Sequence, residues 1–473
     1  MADSWATSLD LHLDLRHVGR GIAAALARAL RDAVRTGRLA PGTRLPSSRA
    51  LAADLGIARN TVADAYGELV AEGWLTARQG SGTRVAQRAA PRRGGRPNRP
   101  TLAPRHPLNP AVTYNLMPGS PDVSAFPRTA WATAVRRALA VAPSEAFSHQ
   151  GPAGRPELRR ALAGYLARAR GVHATPERIV VCSGFIHGLM LMSQVLRAQG
   201  ARVAAVESYG LPEHRNQFTK AGLRTVPLPI DKLGIDPSGL PELGAQVALL
   251  TPAHQFPTGN PLPAGRRAAV IDWARRTGGV VLEDDYDGEF RYDRQPIGAL
   301  QGLDPDRVVY LGTASKSLSP ALRLGWMLLP EGLVWEVQEA KGIGEWTNSA
   351  LDQLALAEFI DSGGYDKHVR AMRQRYRLRR DRLVAALAER APHVKVTGIA
   401  AGLHALLELP PGTELSVVHQ RAARESLALS DLARLTYAPP AEPRSAVIVG
   451  YATPPDHLFP GALAALCRAL APV

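Results

Sequence analysis

The sequence predicts an α/β protein with two folded parts, a small N-terminal unit and a large domain built on a mostly parallel sheet. Three observations lead to this prediction. Residues up to 85 show helical apolar periodicity that ends in a Gly/Thr/Val-rich stretch. From Tyr114 onward, short β-rich runs alternate with helical stretches. Between these parts lies a stretch rich in arginine and proline. The expected boundaries are 12–85, 86–112 and 113–473.

The composition excludes several classes of protein. The chain has 473 residues and a net charge of +15, and its length suggests two or three domains. No apolar run reaches the roughly 18 residues of a membrane-spanning helix, and the first residues lack the order of a signal peptide. The two cysteines, Cys182 and Cys467, indicate neither a disulfide framework nor a zinc site. We expect a soluble, cytoplasmic protein without a metal.

The N-terminal unit has the pattern of a winged helix-turn-helix. A first helix is predicted over residues 22–34, where apolar residues recur at helical spacing. Ser47 or Ser48 is a suitable N-cap for the next helix. Gly56 supplies the turn, and the following helix is expected to begin near Ala58.

The second helix of such a pair presents its N-terminal residues to DNA bases. Here these residues are Arg59, Asn60 and Thr61, whose donors suit guanine, adenine and phosphate. Residues 73–85 are expected to form a two-stranded wing with a glycine-rich tip. Residues 86–112 contain six arginines, six prolines and no acidic residue. They are predicted to form an extended linker that adds phosphate contacts, and a merely solvated linker is the equal alternative.

The large domain is predicted to contain a mostly parallel sheet with helices on both faces. Its short β-rich runs are separated by helical stretches, as the crossovers between parallel strands require. The runs are residues 179–181, 203–206, 247–250, 280–282 and 308–311.

One lysine stands in a distinctive context. The chain has six lysines against 51 arginines. Lys316 follows a β-rich run and is flanked by Thr313 and Ser315, whereas the other five lysines are expected to face solvent. Arginine cannot form a Schiff base. A lysine in this position therefore indicates a covalent link to a carbonyl cofactor, pyridoxal phosphate.

Two groups of residues could bind the phosphate of that cofactor. Thr313 and Ser315 offer hydroxyls, and Arg323 can bind an anion in a bidentate manner. The turn Ser183-Gly184-Phe185 opens an apolar helix and so aims backbone N–H groups at an anion.

The ring of the cofactor has its own candidate partners. Asp284 ends a β-rich run, and its carboxylate can pair with a protonated ring nitrogen. Tyr286 is then placed to reach the ring oxygen. An alternative is that the acidic run 283–287 is a metal-binding or solvated loop, but no His or Cys nearby in the sequence completes a ligand set.

Longer strings of the sequence resemble known families. The strings P-S-S-R-x-L-A, L-G-x-x-R-N-T-V and G-S-G-T are similar to the winged-helix domain of GntR-type regulators. Residues 113–473 resemble fold type I, aspartate-aminotransferase-like proteins. Three further strings identify the chain as a member of the MocR/GabR family of transcriptional regulators: T-P-x-H-Q-x-P-T-G (Thr251 to Gly259), E-D-D-Y-D-x-E-F (Glu283 to Phe290) and G-T-x-S-K-x-L-x-P-x-x-R-L-G (Gly312 to Gly325).

The resemblance carries several implications. The large domain would have the PLP-dependent transferase fold type I, with a smaller C-terminal α+β subdomain and with Lys316 as the Schiff-base lysine. The protein would be a head-to-tail, domain-swapped homodimer. Double-stranded operator DNA would be contacted by Arg49, Arg59, Asn60, Thr61, Arg78, Gln79 and Gly80.

The sequence departs from aminotransferases where they hold the substrate and the ring. Phe256 stands where aminotransferases place an asparagine before P-T-G, so the contact of that asparagine with the ring oxygen is lost unless His254 or Gln255 replaces it. The candidate for the aromatic residue that stacks on the ring is Tyr209, although a two-residue offset would put Leu211 there. The C-terminal strand 446–451 is apolar where aminotransferases carry an arginine for the substrate carboxylate. Arg444 is the nearest replacement, as an effector-binding residue.

We therefore expect a DNA-binding transcriptional regulator that binds pyridoxal phosphate. The effector is either pyridoxal phosphate itself or an amine or amino acid that forms an imine with it. We expect a ligand sensor rather than an enzyme, in a site that still permits residual transaminase activity. The alternatives are an active aminotransferase that carries a DNA-binding unit, and an architectural DNA-binding protein with an inert large domain.

Overall fold

The structure is a computed structural model that describes residues 21–78, 82–87, 112–292, 297–342, 346–438 and 444–472. The chain divides into two compact units, Met1–Pro107 and Leu108–Val473. Among the described residues, no helix combines the length and the apolar character needed to cross a membrane. Most of the predicted linker lies outside the described residues, so its extended conformation stays a prediction.

The N-terminal unit is a winged helix-turn-helix, as predicted. Its elements are α1 (Ile22–Arg35), α2 (Ser48–Leu55), α3 (Arg59–Ala71), β1 (Leu75–Arg78) and β2 (Gly82–Val85). Ser47 is the N-cap of α2, because its Oγ accepts a hydrogen bond from the backbone N–H of Ala50 at 3.1 Å. Gly56 ends α2 with a φ of 65°, in the left-handed region that glycine adopts without strain. Buried residues from all five elements form one apolar core.

The strands of the larger unit, as far as residue 328, are β3 (Tyr114–Asn115), β4 (Ile179–Cys182), β5 (Val203–Glu207), β6 (Arg224–Leu228), β7 (Ile230–Asp231), β8 (Gly234–Ile235), β9 (Val247–Leu250), β10 (Val280–Asp284), β11 (Val308–Thr313) and β12 (Gly325–Leu328). Seven of them form one sheet in the order β4-β12-β11-β10-β9-β5-β6. Only β12 is antiparallel to its neighbours in this sheet. The mostly parallel sheet is therefore confirmed.

Helices cover both faces of this sheet. The helices are α4 (Arg128–Val141), α5 (Pro156–Arg170), α6 (Phe185–Ala198), α7 (Pro212–Lys220), α8 (Ala264–Thr277), α9 (Glu331–Lys341), α10 (Ala350–Asp361) and α11 (Gly364–Arg390). Successive residues of β11 enter different cores. Tyr310 packs with residues of α5 and α11, whereas Val309 and Leu311 pack with residues of α6. Side chains of a strand alternate between the two faces, so both faces are buried.

A smaller α+β subdomain follows the sheet. Its elements are β13 (Lys395–Thr397), β14 (Ala405–Glu408), α12 (Leu415–Arg424), β15 (Leu427–Ala428), β16 (Ser430–Asp431), β17 (Ala446–Val449) and α13 (Phe459–Ala469). β13, β14, β17 and β16 form an antiparallel sheet in that order. β15 pairs in parallel with β3, and Leu116 lies in the core of this subdomain. The segment that follows the predicted linker thus packs with the C-terminal part of the chain.

Candidate functional site

The carboxyl ends of neighbouring strands bring the predicted site residues together. Asp284 is the last residue of β10, and Thr313 is the last residue of the adjacent β11. Ser183 follows β4, which only β12 separates from β11. Ligands of open α/β sheets bind at this edge. Lys316 lies in the turn that follows β11, so it belongs to the same edge.

Hydroxyl groups hold the turn that carries Lys316. The backbone N–H of Ser315 donates to Thr313 Oγ1 at 3.1 Å, and the two hydroxyl oxygens are 2.9 Å apart. Lys316 Nζ donates a hydrogen bond to the backbone carbonyl of Gly119. Burial lowers the pKa of Lys316, and the charge of Asp284 opposes this effect. An amine with a lowered pKa is neutral, and therefore nucleophilic, at a lower pH than an exposed lysine.

Asp284 fits the predicted role of partner for a ring nitrogen. The residue is 5% exposed, and its Oδ1 has no hydrogen-bond partner among the described residues. Burial raises the pKa of Asp284 well above its ordinary value, and the charge of Lys316 opposes this effect. A buried acceptor without a donor costs about 1–3 kcal/mol. A protonated pyridinium nitrogen would supply the missing donor.

Tyr286 belongs to a hydrogen-bonded group that the sequence did not reveal. Its hydroxyl donates to the backbone carbonyl of His254 at 3.1 Å. His254 Nδ1 lies 2.8 Å from a carboxylate oxygen of Asp287, and ligand atoms of His254, Asp287 and His404 all lie within 4.8 Å of one another. Two histidines remote in the sequence therefore stand beside the acidic run. The hydrogen bond between His254 and Asp287 accounts for their contact without an ion.

The predicted phosphate-binding residues meet at the N-terminus of α6. Gly184 has a φ of 91°, and a Cβ there would lie 3.5 Å from Nη1 of Arg323. A Cβ on Gly325 would lie 2.7 Å from the Cα of Gly184, so both positions require glycine. Asn348 Nδ2 donates to Ser183 Oγ at 3.1 Å and to the carbonyl of Arg323 at 3.0 Å. A guanidinium, a hydroxyl and a helix N-terminus thus converge, as a phosphate dianion requires.

The residue predicted to stack on the cofactor ring is buried in the structure. Tyr209 is 4% exposed and packs in an apolar cluster with Leu406. The alternative, Leu211, is 37% exposed. Phe185, the first residue of α6, contacts His214 of α7 with ring centroids 4.7 Å apart. The stacking role of Tyr209 stays a prediction that its burial does not support.

Arg444, the predicted replacement for the carboxylate-binding arginine, lies at one end of β14. It forms an ion pair with Glu408, the last residue of that strand. His404 precedes the first residue of β14. Burial lowers the pKa of His404, and the charge of nearby Lys316 adds to this effect. Four residues of strand span roughly 13 Å. The geometry therefore argues against a contact between Arg444 and a ligand on Lys316.

Lys341 corrects the expectation that the other five lysines face solvent. Its side chain is 1% exposed, and Nζ donates to the carbonyls of Pro152 and Val181 at 2.7 and 2.6 Å. Burial lowers the pKa of Lys341 to about 8. Because both acceptors come from other parts of the chain, the local sequence gave no sign of this burial.

The residues predicted to contact DNA lie mostly on the surface of the N-terminal unit. The exposed ones are Arg49, Arg59, Asn60 and Arg78. Thr61 is half-buried in the first turn of α3. Gln79 and Gly80 lie outside the described residues.

Two family models match the chain. Aminotransferase class I and II matches residues 115–442, and the gntR family of bacterial regulatory proteins matches residues 22–85. The chain therefore belongs to the aminotransferase class I and II family, whose members depend on pyridoxal phosphate, and it carries a gntR-type DNA-binding unit. The crystal structure of an archaeal alanine:glyoxylate aminotransferase shares the fold, with a TM-score of 0.68 and 23% identity over 75% of this chain and 90% of that one.

Relatives of similar length place the chain more closely. The pyridoxine biosynthesis transcriptional regulator PdxR of Corynebacterium glutamicum is 34% identical, over 83% of this chain and 84% of the relative. The probable rhizopine catabolism regulatory protein MocR of Rhizobium meliloti is 32% identical, over 90% and 89%. The protein belongs to this MocR-type family of helix-turn-helix transcriptional regulators.

Proposed function

We propose that pyridoxal phosphate held by Lys316 controls the binding of the N-terminal unit to operator DNA in the cytoplasm. One observation carries the proposal. A single edge of the sheet combines a lysine whose pKa is lowered by burial with a buried Asp284 oxygen for which the described part of the chain offers no donor. These are complementary to the aldehyde and to the ring nitrogen of one cofactor.

Each residue of the site has a separate part in holding the cofactor. The Lys316 amine is the nucleophile, and its burial favours the neutral form. Asp284 would accept from the ring nitrogen, and Tyr286 would flank the ring oxygen. Ser183 and Arg323 would bind the phosphate, together with the hydroxyls near Lys316. When bound, the cofactor supplies an aldehyde for the lysine and an electron-withdrawing ring.

Pyridoxal phosphate itself is the effector that we favour. The strand at which aminotransferases bind the substrate carboxylate, β17, is buried and apolar. Burial also lowers the pKa of His404 to about 3, so this neighbour of Lys316 is neutral at physiological pH. The name of the PdxR relative refers to pyridoxine biosynthesis. The name of the MocR relative refers to rhizopine catabolism, which keeps an amine or amino acid as the second hypothesis.

We also propose that the protein is a head-to-tail homodimer, in which the DNA-binding unit of one subunit lies over the large domain of the other. The support is the resemblance to the family. A linker of 27 residues, 86–112, could extend to roughly 80 Å as polyproline II. Light scattering should give twice the 50.6 kDa of one chain.

An active aminotransferase is the second candidate function, and the fold and Lys316 favour it. The arrangement around the substrate does not. Phe256 cannot replace the amide of an asparagine, and Arg444 is paired with Glu408 away from His404. Without a bidentate arginine, an amino acid loses an oriented, charge-assisted contact. Sustained turnover with a 2-oxo acid would favour the enzyme over the sensor.

A DNA mobility shift tests the proposal. The DNA is the region upstream of the protein's own gene, and the protein is the full chain stripped of cofactor. Allosteric couplings typically change affinity about 5- to 150-fold, so we expect added pyridoxal phosphate to shift the DNA affinity by a factor in this range. The Lys316→Ala variant should bind DNA but should not respond.

Lys232→Ala is the matched control, because Lys232 is exposed in the β7–β8 turn, and this variant should respond like the wild type. If pyridoxal phosphate acquires its visible absorbance on the protein while DNA affinity stays constant, the cofactor is only a receptor for another amine. If Lys316→Ala responds like the wild type, the proposed role of the lysine is wrong.

A further inference from the structure

The segment 113–122 joins the end of the predicted linker to the candidate site. It contains β3 and the turn at Gly119, whose carbonyl accepts the hydrogen bond from Lys316 Nζ. Six extended residues span at most roughly 20 Å. The point at which the linker enters the large domain therefore lies within that distance of the contact with the lysine.

The first half of this segment is fastened to the C-terminal subdomain. β3 pairs with β15, and the carbonyl of Leu116 accepts from the backbone N–H of Gly450 at 2.8 Å. Thr453 Oγ1 lies 2.8 Å from the carbonyl of Met117 and 3.0 Å from that of Ser120. The threonine hydroxyl therefore anchors the turn on both sides of Gly119.

The end of the segment is fastened to α11. Asp122 forms an ion pair with Arg379 at 2.8 Å, and their side chains are 1% and 3% exposed. The Tyr376 hydroxyl accepts from the backbone N–H of Asp122 at 3.1 Å. Gly119 lies between these anchors with a φ of 102°. Its carbonyl is thus held in place towards Lys316.

Capture of an aldehyde removes the donor for that carbonyl. The neutral amine of Lys316 adds to the aldehyde carbon, and a C=N bond replaces the C=O bond. The aldehyde oxygen leaves as water with the two hydrogens of the amine, and no oxidant or reductant is needed. In the neutral imine that results, the nitrogen has no hydrogen that could bond to Gly119.

We propose that residues 113–122 form a sensor segment, which passes the state of Lys316 to the linker and so to the DNA-binding unit. The inference rests on the proposed function, because it takes pyridoxal phosphate as the aldehyde that Lys316 captures. A ligand shifts a conformational equilibrium only through interactions that differ between the states. The bond between Lys316 and Gly119 is such an interaction, since it exists only before capture.

Hydrogen exchange of the full chain, with and without pyridoxal phosphate, directly measures how well the backbone amides of the sensor segment are protected. Loss of one hydrogen bond should raise exchange in peptides covering 113–122 by roughly two- to tenfold. In Lys316→Ala, exchange there should already be fast and should not change on addition of the cofactor. Unchanged or slower exchange in the wild type on addition of pyridoxal phosphate would overturn the inference.

The Thr453→Val variant tests the coupling to DNA. It removes the hydroxyl anchor while leaving the residues that hold the cofactor in place, so capture measured by visible absorbance should stay within about twofold of wild type. Cofactor-free Thr453→Val should bind DNA like the loaded wild type, and its response to pyridoxal phosphate should fall below a third. A merely structural residue would weaken capture as well.

Thr413→Val is the matched control, because the Thr413 hydroxyl makes a local hydrogen bond, to the nearby carbonyl of Pro410 at 2.8 Å. This variant should keep the full response. A full response in Thr453→Val would overturn the inference while the proposed function stands. Failure of the proposed function gives a different result. In that case the DNA affinity of the wild type stays constant when pyridoxal phosphate is added. Hydrogen exchange in residues 113–122 then still decides whether the segment responds to the state of Lys316.

Discussion

The buried ion pair next to Asp284 allows a stability prediction with a defined magnitude. Asp285 accepts from Arg170 Nε at 2.6 Å, from Arg170 Nη2 at 2.9 Å and from the Tyr310 hydroxyl at 2.7 Å. The side chains of Arg170 and Asp285 are 4% and 1% exposed. In Asp285→Asn, the buried guanidinium would lose its carboxylate partner, and the carbonyl of Gly288 would remain as an acceptor. Removing one partner of a buried pair costs about 3–5 kcal/mol.

We therefore expect Asp285→Asn to lower the free energy of unfolding of the large domain by about 3–5 kcal/mol, a large share of the 5–15 kcal/mol of a typical domain. Urea unfolding followed by the fluorescence of the buried Trp273 and Trp326 measures this. The matched control is Asp306→Asn, since Asp306 is 78% exposed in its pair with Arg178. A surface pair contributes about 0–1 kcal/mol.

The reasoning is refuted if Asp285→Asn costs no more than Asp306→Asn. A second variant separates lost attraction from the burial of an unpaired charge. Adding Arg170→Met to Asp285→Asn removes the orphaned guanidinium, and we expect the double variant to be more stable than Asp285→Asn alone. If the double variant were instead less stable than Asp285→Asn alone, this explanation of the cost would be contradicted.

Three further predictions concern the two functional surfaces. Asp284→Asn should weaken the binding of pyridoxal phosphate roughly 10- to 150-fold, because a hydrogen bond to a charged group contributes about 1.5–3 kcal/mol. A titration of visible absorbance measures this affinity, and an unchanged affinity would exclude the ring-nitrogen contact. Arg59→Ala should cost about 1–3 kcal/mol of binding to the operator and relax its preference at one base pair, measured with a set of singly altered operators. Because only the neutral amine reacts and the pKa of Lys316 is lowered, the rate of capture should rise with pH and level off below the value of about 10.4 for a free lysine; a rate that still rises at that pH would contradict a lowered pKa.

The parts of the fold and site that the sequence predicts are those set by local patterns. The β-rich runs became strands of one sheet, and residues just after them, such as Asp284 and Ser183, fell at one edge because parallel strands end together. The helix predicted to start near Ala58 starts at Arg59. Of the two serines proposed as N-cap, the structure selects Ser47, because its side chain reaches a free N–H of the first turn.

The remaining contacts depend on tertiary packing, which a single sequence does not encode in any short pattern. Gly119 meets Lys316 in a segment that pairs with β15, more than 300 positions away. His404, which precedes β14, lies close to Asp287 of the acidic run although the two are remote in the sequence. Lys341 is buried because two backbone carbonyls from other elements face its amine. A polar helix end gives no hint of such acceptors.

Some parts of an aminotransferase site are present in this chain and others are altered. This difference is relevant to why a DNA-binding unit and the large domain share one chain. The groups that we propose to capture and hold the cofactor are present: Lys316, Asp284 and the turn after β4 with Arg323. The groups that orient a substrate are altered, with Phe256 before the P-T-G turn and an apolar β17. Catalysis requires interactions that are stronger in the transition state than in the ground state, whereas sensing requires only that capture change a contact. In the mechanism that we propose, loss of the bond from Lys316 to Gly119 meets the second requirement, because the segment that contains Gly119 continues into the linker. A site that captures without orienting a second substrate is therefore sufficient for a regulator, and it is insufficient for an efficient transaminase.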